Sequence, residues 1–313
     1  MSRPHILICM ATYNGEGHIR AQLDSLAAQD WTDWRLIVSD DGSTDRTLKV
    51  VLDFADDLPG GKVQVAEGPR QGATQNFLSL LRHAGPDDWV AWCDQDDVWK
   101  PDRLSRGVTN IAPLVGPAIT ASRTVICDAR LRPLTDAPLY ARPAGFRNAL
   151  VQACVPGNTT LMNPPALRIM QEGAAHARAA GVISHDWWAY LLLSGAGAHV
   201  IRDPATTVFY RQHGDNEMGR NDTWRARLDR LRRLGAGEYG TWLHANLQAL
   251  RACRDMLTAD AIAVMDEFAQ AVEAPGPIAV RRLMRLGVYR QTRAGTMALM
   301  AAATAGRLRG ERQ

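Results

Sequence analysis

The sequence predicts an α/β fold built on a mostly parallel sheet, with a helical extension behind it, and three observations predict this. In the first third of the chain, apolar runs of strand length alternate with segments of helical spacing. Each apolar run stops at a cluster of polar residues, the pattern of strand carboxyl ends that line a ligand edge. From about Asn221 onward only helical spacing remains, which sets an expected boundary between an α/β domain over 1–220 and a helical extension over 221–313.

Taken in order, residues 6–11 form an apolar strand, 12–17 a turn, and Ile19, Leu23, Leu26 and Ala27 one face of a helix. A second unit pairs a strand over 34–39 with a helix carrying Leu48, Val51, Leu52 and Ala55; a third pairs 62–66 with Phe77, Leu80 and Leu81. A fourth strand over 89–93 runs directly into Asp94-Gln95-Asp96-Asp97. Beyond it the pattern predicts strands over 118–127 and 159–162, a Pro-rich stretch over 133–143, a helix opened by Ser184, and a last strand pair over 199–201 and 206–210. The extension reads as helices over 224–234, 239–256 and 259–272, and one more after Pro277.

Composition narrows the class. At 313 residues with 46% apolar and 22% charged content, the chain is neither disordered, collagen-like nor a disulfide scaffold. Its 36 basic and 33 acidic residues leave only +3, so no global field points to nucleic acid. The excess is local: eight arginines against Glu311 alone lie within 275–313. Five scattered cysteines with no Cys-x-x-Cys pair fit a reducing cytosol. The short apolar run after His5 predicts a first strand rather than a leader, and the 13-residue uncharged run over 294–306 is too short to span a bilayer, which needs about 20 residues.

Four clusters could carry chemistry. Thr12, Tyr13 and Asn14 with Asp40, Asp41 and Ser43 stand at two strand ends, placed to read a base and ribose, although Asp and Ser there also serve as helix caps. No Gly-x-Gly-x-x-Gly follows the first strand and no Gly-Lys-Ser/Thr occurs, so dinucleotide and Walker-type sites lose their support. In an extended segment Asp94 and Asp96 point the same way, and carboxylates this crowded favour a hard divalent ion that keeps positions for substrate phosphates; the alternative is a solvated acidic loop capping the next helix. Asp186 opens a helix beside Trp187 and Trp188, whose ring faces suit sugars and whose apolar walls raise a carboxylate toward general-base duty. Arg211 and His213, within Tyr210-Arg211-Gln212-His213-Gly214-Asp215-Asn216, offer a diphosphate clamp and an imidazole ligand.

In their order, Ala11-Thr12-Tyr13-Asn14-Gly15, Ser39-Asp40-Asp41-Gly42-Ser43-Thr44-Asp45, Cys93-Asp94-Gln95-Asp96-Asp97-Val98-Trp99, His185-Asp186-Trp187-Trp188 and the motif from Tyr210 resemble family 2 glycosyltransferases of GT-A fold, and most of all their bacterial rhamnosyltransferase-like branch. The resemblance covers residues 5 to about 219. It implies an inverting transfer of a sugar, best matched by L-rhamnose from dTDP-L-rhamnose, to a saccharide or lipid-linked acceptor in cell-surface polysaccharide synthesis. It further implies that Thr12, Tyr13, Asn14, Asp40, Asp41, Arg70, Gly72, Asn76, Asp94, Gln95 and Arg211 line the nucleotide-sugar pocket. By the same resemblance Asp94, Asp96 and His213 hold Mn²⁺ or Mg²⁺, Asp96 foremost, and Asp186 is the catalytic base. Gly157, Asn158, Trp187 and Trp188 border the acceptor. Position 70 holds Arg where many relatives carry Asn, and position 185 holds His where many carry an acid.

Two alternatives stay open: a hexosyl- or N-acetylhexosaminyltransferase using a UDP-sugar, and a non-catalytic nucleotide-sugar-binding scaffold. The arginines at 281, 282, 285, 290 and 293 precede a mild apolar helix, a pattern for peripheral contact with the inner face of the plasma membrane by an otherwise cytoplasmic protein; the plainer reading is a helical lid with solvated arginines.

Overall fold

The computed structural model describes residues 3–213 and 238–309. The chain packs as two units, neither of them consecutive along it: Met1–Leu139, Val155–Ala174 and Ala198–His213 form the first, and Tyr140–Cys154, Ala175–Gly197 and Gly214–Gln313 the second. The expected boundary near 220, the expected helix over 224–234, and Gly214, Asp215 and Asn216 of the last motif all lie outside the described residues.

The first unit is a mixed sheet of nine strands: β1 Ile6–Thr12, β2 Trp34–Asp40, β3 Val63–Glu67, β4 Trp89–Asp94, β5 Val98–Trp99, β6 Ala118–Cys127, β7 Pro133–Asp136, β8 Thr160–Met162 and β9 His199–Arg211. They run in the order β3-β2-β1-β4-β8-β6-β9-β5, with β7 on β6. Parallel pairing carries most of the register, through β3-β2-β1-β4 and β6-β9, while β8 is antiparallel to both neighbours. Every residue of β1 is buried, which is why its sequence is continuously apolar rather than alternating. β3 forms one edge and is half-exposed, so its run is short and mixed.

The helices Ile19–Ala27, Thr47–Asp56 and Ala73–Leu80 return the chain between the parallel strands. The second is phased differently from expectation: Thr47, Val51 and Phe54 face the core, and Leu52 is exposed. The helix Pro164–Ala179 was not anticipated, although Asn163-Pro164-Pro165 is an N-terminal signature and Asn163 Oδ1 accepts from the Ala166 N–H at 3.2 Å. The expected strand pair over 199–210 is instead the single strand β9, whose register against β6 shifts on both sides of Arg123.

The described part of the second unit is helical: Phe146–Ala149, His185–Gly195, Glu238–Ala252, Ala259–Glu273, Gly276–Leu286 and Arg293–Thr304. The single helix expected after Pro277 is two helices. Gly287 at φ 73° ends the first, its N–H reaching the carbonyls of Leu283 and Met284, and the Thr292 hydroxyl caps the second. A Cβ on Gly276 would collide with the Thr304 carbonyl oxygen, so only glycine lets these two helices approach so closely. No helix among the described residues is long and apolar enough to cross a membrane.

Candidate functional site

Parallel register brings the polar strand ends into one row: Thr12 pairs with Asp40, Ala11 with Asp94, and Asp40 with Glu67. Sequence positions far apart thereby meet at the carboxyl edge of the sheet, where α/β folds place ligands.

Two aspartates build that edge. Asp40 is buried and accepts from the Thr12 hydroxyl at 3.1 Å, the Gly42 and Ser43 N–H groups at 3.1 and 2.8 Å, and the Ser43 hydroxyl at 2.5 Å. Asp41 accepts from the N–H groups of Arg70 and Gly72 at 2.6 and 2.8 Å, and so anchors the loop before the helix Ala73–Leu80. That grip holds Arg70 in the left-handed region at φ 56°. Gly68 fits under it because a Cβ there would come 2.8 Å from the Asp40 carbonyl oxygen. Asn76 is buried and donates to the Ser39 carbonyl at 2.8 Å, tying the same helix to β2.

The loop after β1 is held as firmly. The Tyr13 backbone exchanges two 3.0 Å hydrogen bonds with the Gln95 amide, and the Asn14 N–H, at φ 46°, donates to Ser43 Oγ at 2.9 Å. The Tyr13 ring itself is 56% exposed, a large aromatic face standing on a braced backbone.

The acidic cluster is not an extended segment. Asp94 ends β4 and Gln95-Asp96 turn, so the expected alternation does not operate here. What joins is Asp96 with His213, Oδ2 to Nε2 at 2.7 Å, both side chains largely buried. Arg211 braces this pair: its Nε donates to the Asp96 carbonyl at 2.8 Å and a terminal nitrogen to the Ala129 carbonyl at 2.9 Å.

Sequence reasoning passed over Asp97, which is fully buried. Its oxygens accept from the Arg211 N–H at 3.1 Å and the Asn158 amide at 2.6 Å. Burial, then the neighbouring Asp96 and Asp94 charges, push its carboxyl well above the usual range. Beneath it Arg103 donates to the carbonyls of Asn158, Trp92 and Thr160 and stacks 3.5 Å over the Trp99 ring. Burial lowers its pKa to about 9, leaving it a cation at neutral pH. Asp97 stands fourth in the polar run, two residues before the buried Trp99, and spacing alone gives no direction for its side chain.

Gly157 and Asn158 lie in a short 3₁₀ turn, and both are buried. His18 was also missed; its ring lies 4.7 Å from that of His213, and burial and the Arg211 charge lower its pKa.

In the second unit, Asp186 occupies the first turn of His185–Gly195. Its Oδ1 accepts from the Ser184 hydroxyl and, at 2.6 Å, from the Trp187 N–H. Burial pushes the neighbouring His185 imidazole down to about 4, against the pull of the Asp186 charge. Trp187 and Trp188 are 6% and 0% exposed. Trp187 donates to the Ala149 carbonyl at 2.7 Å and stacks on Tyr239, so neither indole presents an open face to solvent.

A divalent cation finds a partial fit. Asp96 and His213 supply an oxygen and a nitrogen on adjoining atoms, but no cluster of three or more His, Cys, Asp or Glu suited to a metal is present among the described residues. A cation held here would draw further ligands from substrate, as Mg²⁺ sites commonly do.

Residues 7–153 match the family described as Glycosyl transferase family 2. The dTDP-rhamnosyl transferase RfbG of Shigella flexneri is 26% identical over 227 residues, 71% of this chain and 78% of that protein. The β-1,3-glucosyltransferase WfgD of Escherichia coli, named for UDP-Glc and a GlcNAc-diphosphoundecaprenol, is 32% identical over 104 residues, 33% of this chain and 40% of that one. Among solved structures, S. aureus TarS 1-349 superposes with TM-score 0.53 at 14% identity, covering 97% of this chain and 89% of that one. The mannosyltransferase PcManGT of Pyrobaculum calidifontis, solved with GDP-Man and Mn²⁺, gives 0.51 at 20% identity over 98% and 88%. Both likenesses speak to the fold, which is GT-A-like: a mostly parallel sheet with C-terminal helices. By its sheet edge, its ordered motifs and these relatives together, the chain is similar to family 2 glycosyltransferases, and to rhamnosyltransferases among them.

Proposed function

We propose that this enzyme inverts the anomeric carbon of a nucleotide-activated sugar in a metal-dependent transfer, with L-rhamnose from dTDP-L-rhamnose the donor, in cell-surface polysaccharide synthesis. The observation that carries the site is the Asp96–His213 pair, 2.7 Å apart at the carboxyl edge of the sheet and braced by Arg211 and Asp97. The similarity to RfbG supports the donor. The match to WfgD keeps a UDP-sugar as the second reading, since uracil and thymine present the same imide edge to the Thr12–Asp40 pocket.

In this reading the pocket walls come from Thr12, Tyr13, Asn14, Asp40, Asp41, Arg70, Gly72, Asn76 and Gln95. Their backbones are fixed by side-chain hydrogen bonds before a ligand arrives, which lowers the ordering cost of binding. Mn²⁺ or Mg²⁺ held by Asp96 and His213, with Asp94 beside them, would offset charge on the departing diphosphate. Asp186 takes the proton of the acceptor hydroxyl as its oxygen bonds to the anomeric carbon and the bond to diphosphate breaks on the opposite face. Ser184 and the Trp187 N–H hold one carboxylate oxygen and so orient the other for that proton. The acceptor is a saccharide or lipid-linked saccharide, and Trp187 and Trp188, buried with no open ring face, do not border it. The enzyme works in the cytoplasm, in peripheral contact with the inner membrane face.

Separating two variants tests this. Asp186→Asn is expected to keep donor affinity within about twofold and lower kcat by about 10²–10⁴, the range of general base catalysis. Asp96→Ala is expected to lose metal-dependent donor binding. Turnover by Asp186→Asn within about tenfold of the parent would remove the base assignment.

A further inference from the structure

The helices Gly276–Leu286 and Arg293–Thr304 leave an open cleft of about 500 Å³ lined by Met284, Val288, Thr296, Met297 and Met300. Its lining is almost wholly apolar, yet Met284 and Met297 are 67% and 72% exposed. Unbranched thioether side chains at an open surface adapt to an irregular partner. The cleft is framed by charge of one sign. Arg281 stands one turn before Met284 and Arg293 one turn before Met297, each on the same helix face as its methionine, and both are exposed.

These two arginines differ from their neighbours. Arg285 is paired with Glu267, and Arg282 donates to the Gln270 carbonyl at 3.3 Å, whereas Arg281 and Arg293 have no ion-pair partner among the described residues. Between residues 276 and 309 there are seven arginines and no Asp or Glu. The surface itself is preformed: Gly276 sits against the Thr304 carbonyl oxygen, and Gly287 turns the chain between the helices.

We infer that this face docks on an anionic lipid surface, with Met284 and Met297 entering the acyl boundary and Arg281 and Arg293 meeting headgroup phosphates. A methionine cleft rimmed by exposed cations complements a lipid leaflet, which offers apolar chains beneath negative charge. The inference deepens the proposed peripheral contact by naming its surface and lipid chemistry; it does not depend on which sugar is transferred.

The test is co-sedimentation of the full chain with phosphatidylcholine vesicles and with vesicles containing phosphatidylglycerol, alongside thermal-shift measurement of donor binding on the same preparations. Binding that needs phosphatidylglycerol, weakens with salt, and falls by about tenfold in both M284Q/M297Q and R281Q/R293Q, is the expected result. Donor binding is expected to stay unchanged in both variants, so failure of the surface is distinguishable from failure of the glycosyltransferase reading. Absence of vesicle binding, equal binding to both vesicle types, or wild-type binding by either double variant overturns the inference. So does a self-associated wild type that M284Q/M297Q makes monomeric, which would assign the cleft to a second copy of the chain.

Discussion

Asp97 decides how rigid the candidate metal turn is. Two buried donors, the Arg211 N–H and the Asn158 amide, depend on its two oxygens. Asp97→Ala strands both, at about 1–3 kcal/mol each, so a loss of about 2–6 kcal/mol in urea unfolding is expected. A loss below about 1 kcal/mol would mean the two donors find other partners. His185 gives a pH signature. With its folded pKa depressed from 6.5 to about 4, the unfolded chain binds a proton that the folded one refuses as pH falls through that window. Stability attributable to this group is therefore present above pH 6.5 and lost progressively down to pH 4, by about 3 kcal/mol at most. The difference between wild type and His185→Gln should show that slope, and a flat difference would contradict it. At this scale the sequence spoke through spacing and was silent on direction. It marked Asp40, Asp96 and His213 as polar strand-end residues, but that Asp97 turns inward and Arg103 lies beneath it depends on side chains from β4, β9 and the turn at Asn158 meeting in space.

Elements were legible where one strong rule applied and obscure where two competed. β1, β2 and β4 read clearly because parallel, doubly covered strands are continuously apolar, while the edge strand β3 was readable from its place in the strand–helix alternation. β9 read as two strands because Asp203 and Pro204 interrupt its pattern, yet Asp203 is buried on Arg106 and Asn110, which keeps the strand unbroken. The helix Pro164–Ala179 hid behind its glycine and scattered polar residues. After Pro277, apolar spacing continued past Gly287, and only the positive φ there reveals the break. Gly287→Ala is expected to cost about 1 kcal/mol, since a left-handed C-terminal cap penalises any Cβ. Gly68→Ala is expected to cost more, about 1–3 kcal/mol, because its Cβ would press on the Asp40 carbonyl oxygen and the Asp41 carboxylate. If Gly68→Ala also leaves nucleotide-sugar affinity unchanged, the loop over 68–72 has no part in the pocket.

At the scale of the whole molecule, the family match over 7–153 ends before Asp186, Arg211 and His213, so three of the proposed chemical groups rest on local geometry and ordered motifs rather than on that match. The sheet and its polar edge were readable because they follow from strand alternation; the second unit was not, because it gathers 140–154 and 175–197 from between strands and joins them to the tail. In the proposed function, the braced sheet edge binds a nucleotide sugar through a divalent ion. Thermal shift of the purified chain against dTDP-L-rhamnose, UDP-glucose, UDP-galactose, UDP-GlcNAc and GDP-mannose, each with Mn²⁺ or with EDTA, tests it most directly, since a ligand bound only by the folded state raises the melting temperature. A shift with dTDP-L-rhamnose that EDTA abolishes and that Asp96→Ala lacks is the expected result. A shift indifferent to EDTA would contradict the metal, a shift with a UDP-sugar alone would contradict the donor, and no shift with any nucleotide sugar would contradict nucleotide-sugar binding at this edge.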